Sequence, residues 1–268
     1  MKIVVFTGNQ PRHFSLAERL NKIADRLSVF SEVSTFSPGM KEGVFRASPV
    51  MQRYFKEVVV AERERFGEPR LSPFGSRVLP MSAGELNSLP ASAYLEAVEE
   101  ADLIIVFGAS YIKQPLVDLL VDKKAINIHL GVSPYYRGSS CNFWALYDKH
   151  PEMVGATIHY LSKGLDSGPM LFHCLPQPSK ERDSFFLGMM AVEAALRGLI
   201  SNVESGEIFK MEPAVQDKNK EMRYSCGRDF TDEIAEEYLA NRLTLGEIKK
   251  GLEKRNMIKY LRPYILEE

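Results

Sequence analysis

Residues 102–129 read DLIIVFGASYIKQPLVDLLVDKKAINIH, and this stretch decides the fold. A strand is expected at 102–107, where the continuous apolar run LIIVF ends at Gly108. A helical pattern follows at 115–121, and a second strand is expected at 125–129. Strands without polar alternation are buried on both faces, as in a parallel sheet covered by helices. The stretch therefore predicts a strand, a helix and a strand of an α/β protein.

The N-terminus has the same arrangement. A β-branched and aromatic run at 2–7 precedes a polar turn at 8–13, and apolar residues at helical spacing follow over 15–27. In doubly wound sheets, ligands gather at the carboxyl ends of strands, so this turn is a candidate binding region. It lacks the GxGxxG pattern, and a dinucleotide is therefore not indicated.

The remaining pattern is less regular. A strand is predicted at 31–36, and an irregular excursion over 37–90 contains one helix at 50–66. Further predicted elements are a helix at 91–100, a loop at 130–142, a short helix at 143–148, strands at 155–161 and 170–174, a long helix at 184–206, and helices at 231–240 and 245–253. We expect a main domain over 1–210 and a small, mainly helical C-terminal extension over 211–268.

Composition excludes several classes of function. The 34 basic and 35 acidic residues give a net charge of -1, which argues against a dedicated nucleic-acid binder. Cys141, Cys174 and Cys226 have no paired spacing, which indicates neither a disulfide framework nor a zinc site and predicts a reducing, cytoplasmic setting. The first apolar run stops at Gly8, too short for a signal peptide or a membrane span. We expect no membrane association.

Polar side chains that could take part in catalysis lie in the stretch INIHLGVSPYYRG at 126–138. Strand alternation places Asn127 and His129 on one face, near the carboxyl end of the strand. An amide can donate to a developing oxyanion, and an imidazole can exchange a proton near neutral pH. Asp166 follows in a turn between two glycines, which permit close approach of the backbone to a ligand or to the first strand. If that turn folds over His129, the carboxylate would orient the imidazole.

Each of these residues has a simpler reading when taken alone. A strand Asn or His is usually a satisfied polar group, and an Asp between glycines is usually a turn former. The combination of all three is less ordinary than any one of them.

The order of four motifs resembles the folate-dependent formyltransferase family. The motifs are Asn127-x-His129, SPYYRG at 133–138, GATIH at 155–159 and GLDSG at 164–168. The resemblance implies a Rossmann-like formyltransferase domain with a mostly parallel sheet, 10-formyltetrahydrofolate as cosubstrate and no metal. It also implies that Asn127, His129 and Asp166 stand at catalytic positions. Members usually carry Ser-Leu-Leu-Pro where this chain has GVSP at 131–134, a departure that we expect to affect loop shape.

The same resemblance implies two sets of binding residues. The pterin end of the folate is expected between two loops that contain Phe107, Ser110, Tyr111 and Ile112, and Ser162, Lys163, Gly164 and Leu165. Candidates for the amine acceptor and any phosphate on it are Asn9, Gln10, Arg12 and Arg137. Phe107 could equally be a residue packed in the core, and Arg12 could equally be a solvated surface charge.

The acceptor can be narrowed by comparison within the resembled family, whose members act on methionyl-tRNA, on glycinamide ribonucleotide or on nucleotide-linked amino sugars. The charge-balanced tail does not look like the basic barrel expected of a tRNA enzyme, and a glycinamide ribonucleotide enzyme is typically shorter. CNFWAL at 141–146 and GATIHY at 155–160 are similar to the sugar-nucleotide N-formyltransferases, which favours an amino sugar. Trp144 and His159 read more simply as a core anchor and a strand-edge polar residue.

Other readings stay open. Methionyl-tRNA or another small amine could be the acceptor, and a 10-formyltetrahydrofolate hydrolase would use the same three residues with water. A binding module without catalysis would not need Asn127, His129 and Asp166 together. The excursion and the tail are where acceptor specificity or a homodimer interface could reside.

Overall fold

The computed structural model describes residues 1–34, 48–178, 180 and 182–267. The strands are β1 (Lys2–Thr7), β2 (Arg26–Val33), β3 (Arg77–Ser82), β4 (Leu103–Phe107), β5 (Ile126–His129), β6 (Tyr136–Gly138), β7 (Ala156–Tyr160), β8 (Met170–Gln177), β9 (Arg223–Ser225) and β10 (Tyr264–Glu267). The helices are α1 (Pro11–Asn21), α2 (Pro49–Phe66), α3 (Ala91–Glu99), α4 (Leu116–Asp122), α5 (Cys141–Tyr147), α6 (Ser184–Glu204), α7 (Asp232–Asn241) and α8 (Leu245–Glu253).

The main sheet of the described residues has eight strands in the order β10-β8-β7-β5-β4-β1-β2-β3. The five neighbouring strands β3, β2, β1, β4 and β5 pair in parallel. Strand β7 is antiparallel to both of its neighbours, β5 and β8. The predicted mostly parallel α/β sheet with helices is confirmed. The chain leaves β1 towards β2 on one side and later returns to place β4 on the other. A crevice opens at such a switch point, at the carboxyl ends of the strands.

Helix α6 is the central core helix on one face of the sheet. Asp183 caps it, because its carboxylate accepts hydrogen bonds from the backbone N–H groups of Phe185 and Phe186. The helix is long and apolar enough to cross a membrane, but 72% of its apolar window is buried inside the protein. Its apolar character is therefore accounted for by packing against the sheet.

Three expectations about element boundaries were wrong. Helix α1 spans 11–21 rather than 15–27, because Pro11 suits the first helical turn and Gln10 caps it. Residues 26–33 form β2 through parallel pairing with β1, so this strand begins five residues before the predicted start at 31. Positions 35–36 of the predicted strand lie outside the described residues. The predicted loop at 130–142 contains the short strand β6, which needs β9 from the tail as its partner.

The C-terminal residues are partly helical, as expected, but they also supply two strands. Strand β10 pairs in parallel with β8 and extends the main sheet. Helices α7 and α8 place Tyr238, Ile248 and Leu252 in a core cluster with Phe143 and Trp144. The tail is thus packed into the fold, and its standing as a separate unit over 211–268 stays a prediction.

Candidate active site

Asn127, His129 and Asp166 come together at the carboxyl end of β5. His129 Nδ1 lies 3.3 Å from Asp166 Oδ2, and Asn127 Nδ2 donates to Asp166 Oδ1 over 3.3 Å. The predicted fold of the Asp166 turn over His129 is therefore present in the structure. His129 is 5% exposed, so this contact lies in a low-dielectric environment that strengthens it.

The hydrogen bonds of His129 match those of a charged imidazolium. Its Nε2 lies 3.1 Å from the carbonyl oxygen of Tyr136, so both ring nitrogens face acceptors. Burial is the strongest single influence and lowers the pKa of His129, but Asp166 and the neighbouring Cys141 together outweigh it and hold the pKa well above 6.5. Burial likewise opposes ionisation of Asp166, and the neighbouring His129 and His159 overcome it and hold the pKa of Asp166 below its ordinary value.

His159 is a fourth member of this cluster. Its Nδ1 donates to the carbonyl of Tyr160 over 2.8 Å, so in the matching tautomer its Nε2 accepts from Asn127 Nδ2 at 3.0 Å. The His159 Nε2 also lies 3.9 Å from Asp166 Oδ1. These contacts fix the amide of Asn127 with its nitrogen towards the cluster. The reading of His159 as a strand-edge residue was wrong, because β7 lies between β5 and β8 and His159 is 1% exposed.

The turn that carries Asp166 is held by backbone geometry and by the tail. Asp166 has a φ of +45°, a left-handed conformation that Asp and Asn tolerate better than most residues. A Cβ at Gly168 would lie 1.7 Å from the carbonyl oxygen of Tyr160, so this glycine permits close approach to β7 rather than to the first strand. Gln216 Nε2 donates to the carbonyls of Asp166 and Gly168, each over 2.8 Å.

Gly131 affects His129 as well as the shape of its loop. A Cβ at this position would lie 2.6 Å from His129 Nε2 and 2.5 Å from Cys141 Cβ. The absence of a side chain therefore leaves room for the imidazole, and the departure from Ser-Leu-Leu-Pro reaches a proposed catalytic group.

A cavity of about 690 Å³ opens beside Asn127 and Asp166. Six of the eight residues expected to bind folate line it, namely Ser110, Tyr111, Ile112, Ser162, Gly164 and Leu165. The two others lie elsewhere. Phe107 is 1% exposed and packs in the core, as its alternative reading had it, and Lys163 is exposed and paired with Asp118 at 2.7 Å.

A second cavity of about 290 Å³ reaches His129 and shares no lining residue with the first. Arg12 lies on its wall, and Asn9 and Gln10 line an adjoining cavity of about 330 Å³ together with Arg12. Arg12 is ion-paired with Glu62 at 2.7 Å, so its charge is already compensated. Asn9 donates to the carbonyl of Ser34 over 2.9 Å.

Arg137 lies between the Asp166 turn and the tail. Its guanidinium pairs with Glu221 at 2.9 Å and donates to the carbonyl of Leu165 over 3.3 Å. Among the cavities described above, Arg137 lines none, and its contacts brace the turn. In the described residues no group of three His, Cys, Asp or Glu side chains is arranged to hold a metal ion.

A family model described as Formyl transferase matches residues 1–177. The chain belongs to this family. A methionyl-tRNA formyltransferase of Desulforamulus reducens is 31% identical over 86 residues, which are 31% of this chain and only 27% of that relative. The chain therefore matches well under two thirds of the length of this curated relative.

Two solved structures of formyltransferases share this fold. A 4-N formyltransferase from Francisella tularensis has a TM-score of 0.53 at 17% identity, covering 85% of this chain and 77% of that one. A sugar N-formyltransferase from a Shewanella species has a TM-score of 0.53 at 16% identity, covering 86% and 78%. At these identities the similarity concerns the fold alone.

Some residues of this formyl transferase site were missed from the sequence. His159 and Gln216 contact the cluster, and Tyr224 lines the larger cavity. The GATIHY motif contained a signal for His159, because the predicted strand would pair beside Asn127. Gln216 and Tyr224 lie in a tail without a motif that predicts their contact with the Asp166 turn.

Proposed function

We propose that the chain transfers a formyl group from 10-formyltetrahydrofolate to a primary amine. The observation that carries the proposal is that two separate cavities meet at the contact between His129 and Asp166. One cavity can hold the formyl donor and the other the acceptor, with the reacting groups brought together between them. A site for a single substrate would not need this division.

In this proposal the larger cavity takes the folate. Its volume of about 690 Å³ lies within the range of roughly 300–1,000 Å³ typical of small-molecule sites. Ser110, Tyr111 and Ile112 lie in one loop at its wall, and Gly164 and Leu165 lie in another, so the cavity is lined by two loops that offer both side-chain and backbone polar groups. Such groups can donate to and accept from the polar edge of a pterin ring.

The reaction follows from the cluster. The amine nitrogen bonds to the formyl carbon, the formyl oxygen becomes an oxyanion, and His129 as an imidazolium donates to it through Nε2, in exchange for its contact with the carbonyl of Tyr136. Asn127 adds a second donor by exchanging its longer contact with Asp166 for the oxyanion. The amine loses a proton, the bond from the formyl carbon to the folate nitrogen breaks, and that nitrogen gains a proton. Asp166 keeps His129 charged during these steps.

For the acceptor we propose an amino sugar of the nucleotide-linked class. The support is the likeness of CNFWAL at 141–146 and GATIHY at 155–160 to sugar-nucleotide N-formyltransferases. The second candidate is methionyl-tRNA, which the curated relative of D. reducens favours by its name. The free cysteines, of which Cys141 and Cys174 are buried, suit the reducing, cytoplasmic setting that we propose for this reaction.

A panel of amines tests the proposal. Nucleotide-linked amino sugars, glycinamide ribonucleotide and methionyl-tRNA are each incubated with 10-formyltetrahydrofolate, and mass spectrometry detects a product that is heavier by one formyl group. We expect a sugar-nucleotide product. Formylation of methionyl-tRNA alone would reject the acceptor, and release of formate without any amine would make the chain a hydrolase.

A further inference from the structure

Helix α6 presents one face to the cavity beside His129. Ser184, Gly188 and Val192 are spaced four residues apart and line the cavity together with Phe185 and Met189. The opposite side of the helix is buried against the sheet. Gly188 therefore lies at the middle of the cavity wall, one turn from each of its neighbours on this face.

Gly188 has no packing reason to be a glycine. A Cβ built there would meet no atom within 4 Å, and its φ lies outside the left-handed region. Gly198 on the same helix differs, because a Cβ there would lie 2.8 Å from the Sγ of Cys174. A glycine in a helix interior destabilises the fold relative to alanine. The chain thus carries a destabilising residue where alanine would fit, and the space that it leaves belongs to the cavity.

The walls around this space are aromatic. Tyr54 lies with its ring centroid 5.3 Å from that of Phe185 and 5.7 Å from that of Phe143, and Tyr238 lies 4.8 Å from Phe143. These rings come from α2, α5, α6 and α7, so the excursion and the tail both contribute. Aromatic faces bind apolar surfaces and the C–H faces of rings.

The charges of the cavity do not favour a phosphate. Among its lining residues Arg12 is cationic, but its guanidinium is paired with Glu62, whose side chain is 4% exposed. The other charged group is His129, which is paired with Asp166. Both positive charges are thus already compensated, which disfavours a phosphate at this wall.

We propose that Gly188 keeps this cavity open for the uncharged ring of the amine acceptor. The ring packs its apolar face against Tyr54 and Phe143, its amino group lies against His129, and any phosphate-bearing part stays outside. This inference rests on the proposed function, since it assigns the second cavity to the acceptor. Gly188 is then a specificity-determining residue that sets the size of ring accepted.

Gly188→Leu and Gly188→Ala test the proposal, with Gly246→Ala as the matched control. Gly246 lies in α8, its Cβ would also meet no atom within 4 Å, and it lines none of the cavities at the cluster. Both alanine variants should raise the melting temperature. Gly188→Leu should raise KM for the amine at least about tenfold, as expected for filling an apolar pocket, and Gly246→Ala should not. Affinity for tetrahydrofolate should stay unchanged in all three.

A binding measurement keeps the test independent of the acceptor's identity. Cyclohexanol, an uncharged apolar ring with one polar substituent, is titrated into protein with carbon-13 methyl-labelled methionine, and the Met189 resonance is followed. We expect the resonance to shift in the wild type and in Gly246→Ala, and to stay unmoved in folded Gly188→Leu. An equal shift in Gly188→Leu, or no shift in the wild type, would overturn the assignment of the cavity. Failure of the amine panel with a normal Met189 shift would instead reject the proposed reaction.

Discussion

Replacing Asp166 with asparagine removes the negative charge that faces His129 and keeps the shape of the side chain. Asparagine also tolerates the φ of +45° at this position, so the turn should keep its backbone. Without the carboxylate, burial dominates at His129, and its pKa should fall from well above 6.5 to below it. At neutral pH the imidazole would then be uncharged and would no longer offer a proton from both nitrogens.

The size of the effect follows from the distance between the two groups. Unit charges 3.3 Å apart attract by about 5 kcal/mol at an effective dielectric constant of about 20, before the burial of both groups is subtracted. Removing one partner of a buried ion pair costs roughly 3–5 kcal/mol. If that stabilisation is lost from the transition state, turnover falls by about 10²- to 10⁴-fold.

Two measurements follow this change. Single-turnover formyl transfer gives the rate, and the ring signals of His129 in NMR spectra, recorded against pH, give its protonation. Asp25→Asn is the control, because Asp25 precedes β2 at the amino ends of the strands and its side chain is 87% exposed. Near wild-type turnover in a folded Asp166→Asn protein, or an unchanged titration of His129, would refute the ion-pair reasoning.

Three further predictions concern residues around the cluster. His159→Leu removes the acceptor that faces Asn127 Nδ2, and losing this orienting hydrogen bond, at about 1.4 kcal/mol, should lower turnover roughly tenfold. Affinity for tetrahydrofolate should change little. A normal rate would show that Asn127 does not need this contact. Gln216→Leu removes the side-chain donor to the carbonyls of Asp166 and Gly168 and should lower the free energy of unfolding by about 1–3 kcal/mol. Urea denaturation measures this loss, and unchanged stability would contradict the role of Gln216. Burial lowers the pKa of His173 to about 4, so the unfolded chain binds more protons than the folded one between about pH 4 and 6.5. This residue should therefore cost about 2 kcal/mol of stability as pH falls from 7 to 5. In His173→Gln the free energy of unfolding should depend correspondingly less on pH over this range.

The sequence predicted those parts of the fold that local pattern controls. The apolar runs of β1 and β4 and the alternation at β5 identified buried strands and the shared face of Asn127 and His129. The boundaries of α1 and β2 were wrong, because parallel pairing with β1 decides whether residues 26–33 are extended. Strands β3 and β10 depend on partners that are distant in sequence, and neither has a periodicity that would reveal it.

The candidate site was likewise only partly predictable from the sequence. The motifs indicated Asn127, His129 and Asp166, and the structure brings them into contact. The position of His159 follows from the register that pairs it with Asn127, which requires knowing that β7 is the antiparallel neighbour of β5. The separation into two cavities depends on α2 and α7, whose side chains meet only in the folded chain, so residue patterns alone could not have predicted it.

The fate of a carbon-13 label in the formyl group of 10-formyltetrahydrofolate tests the central claim most directly. In a single turnover with an accepted amine, we predict that the label appears in the formamide product in a one-to-one ratio with tetrahydrofolate, and that Asn127→Ala, His129→Ala and Asp166→Ala each suppress this transfer. Recovery of the label as formate, or transfer at wild-type rates in all three variants, would contradict the account.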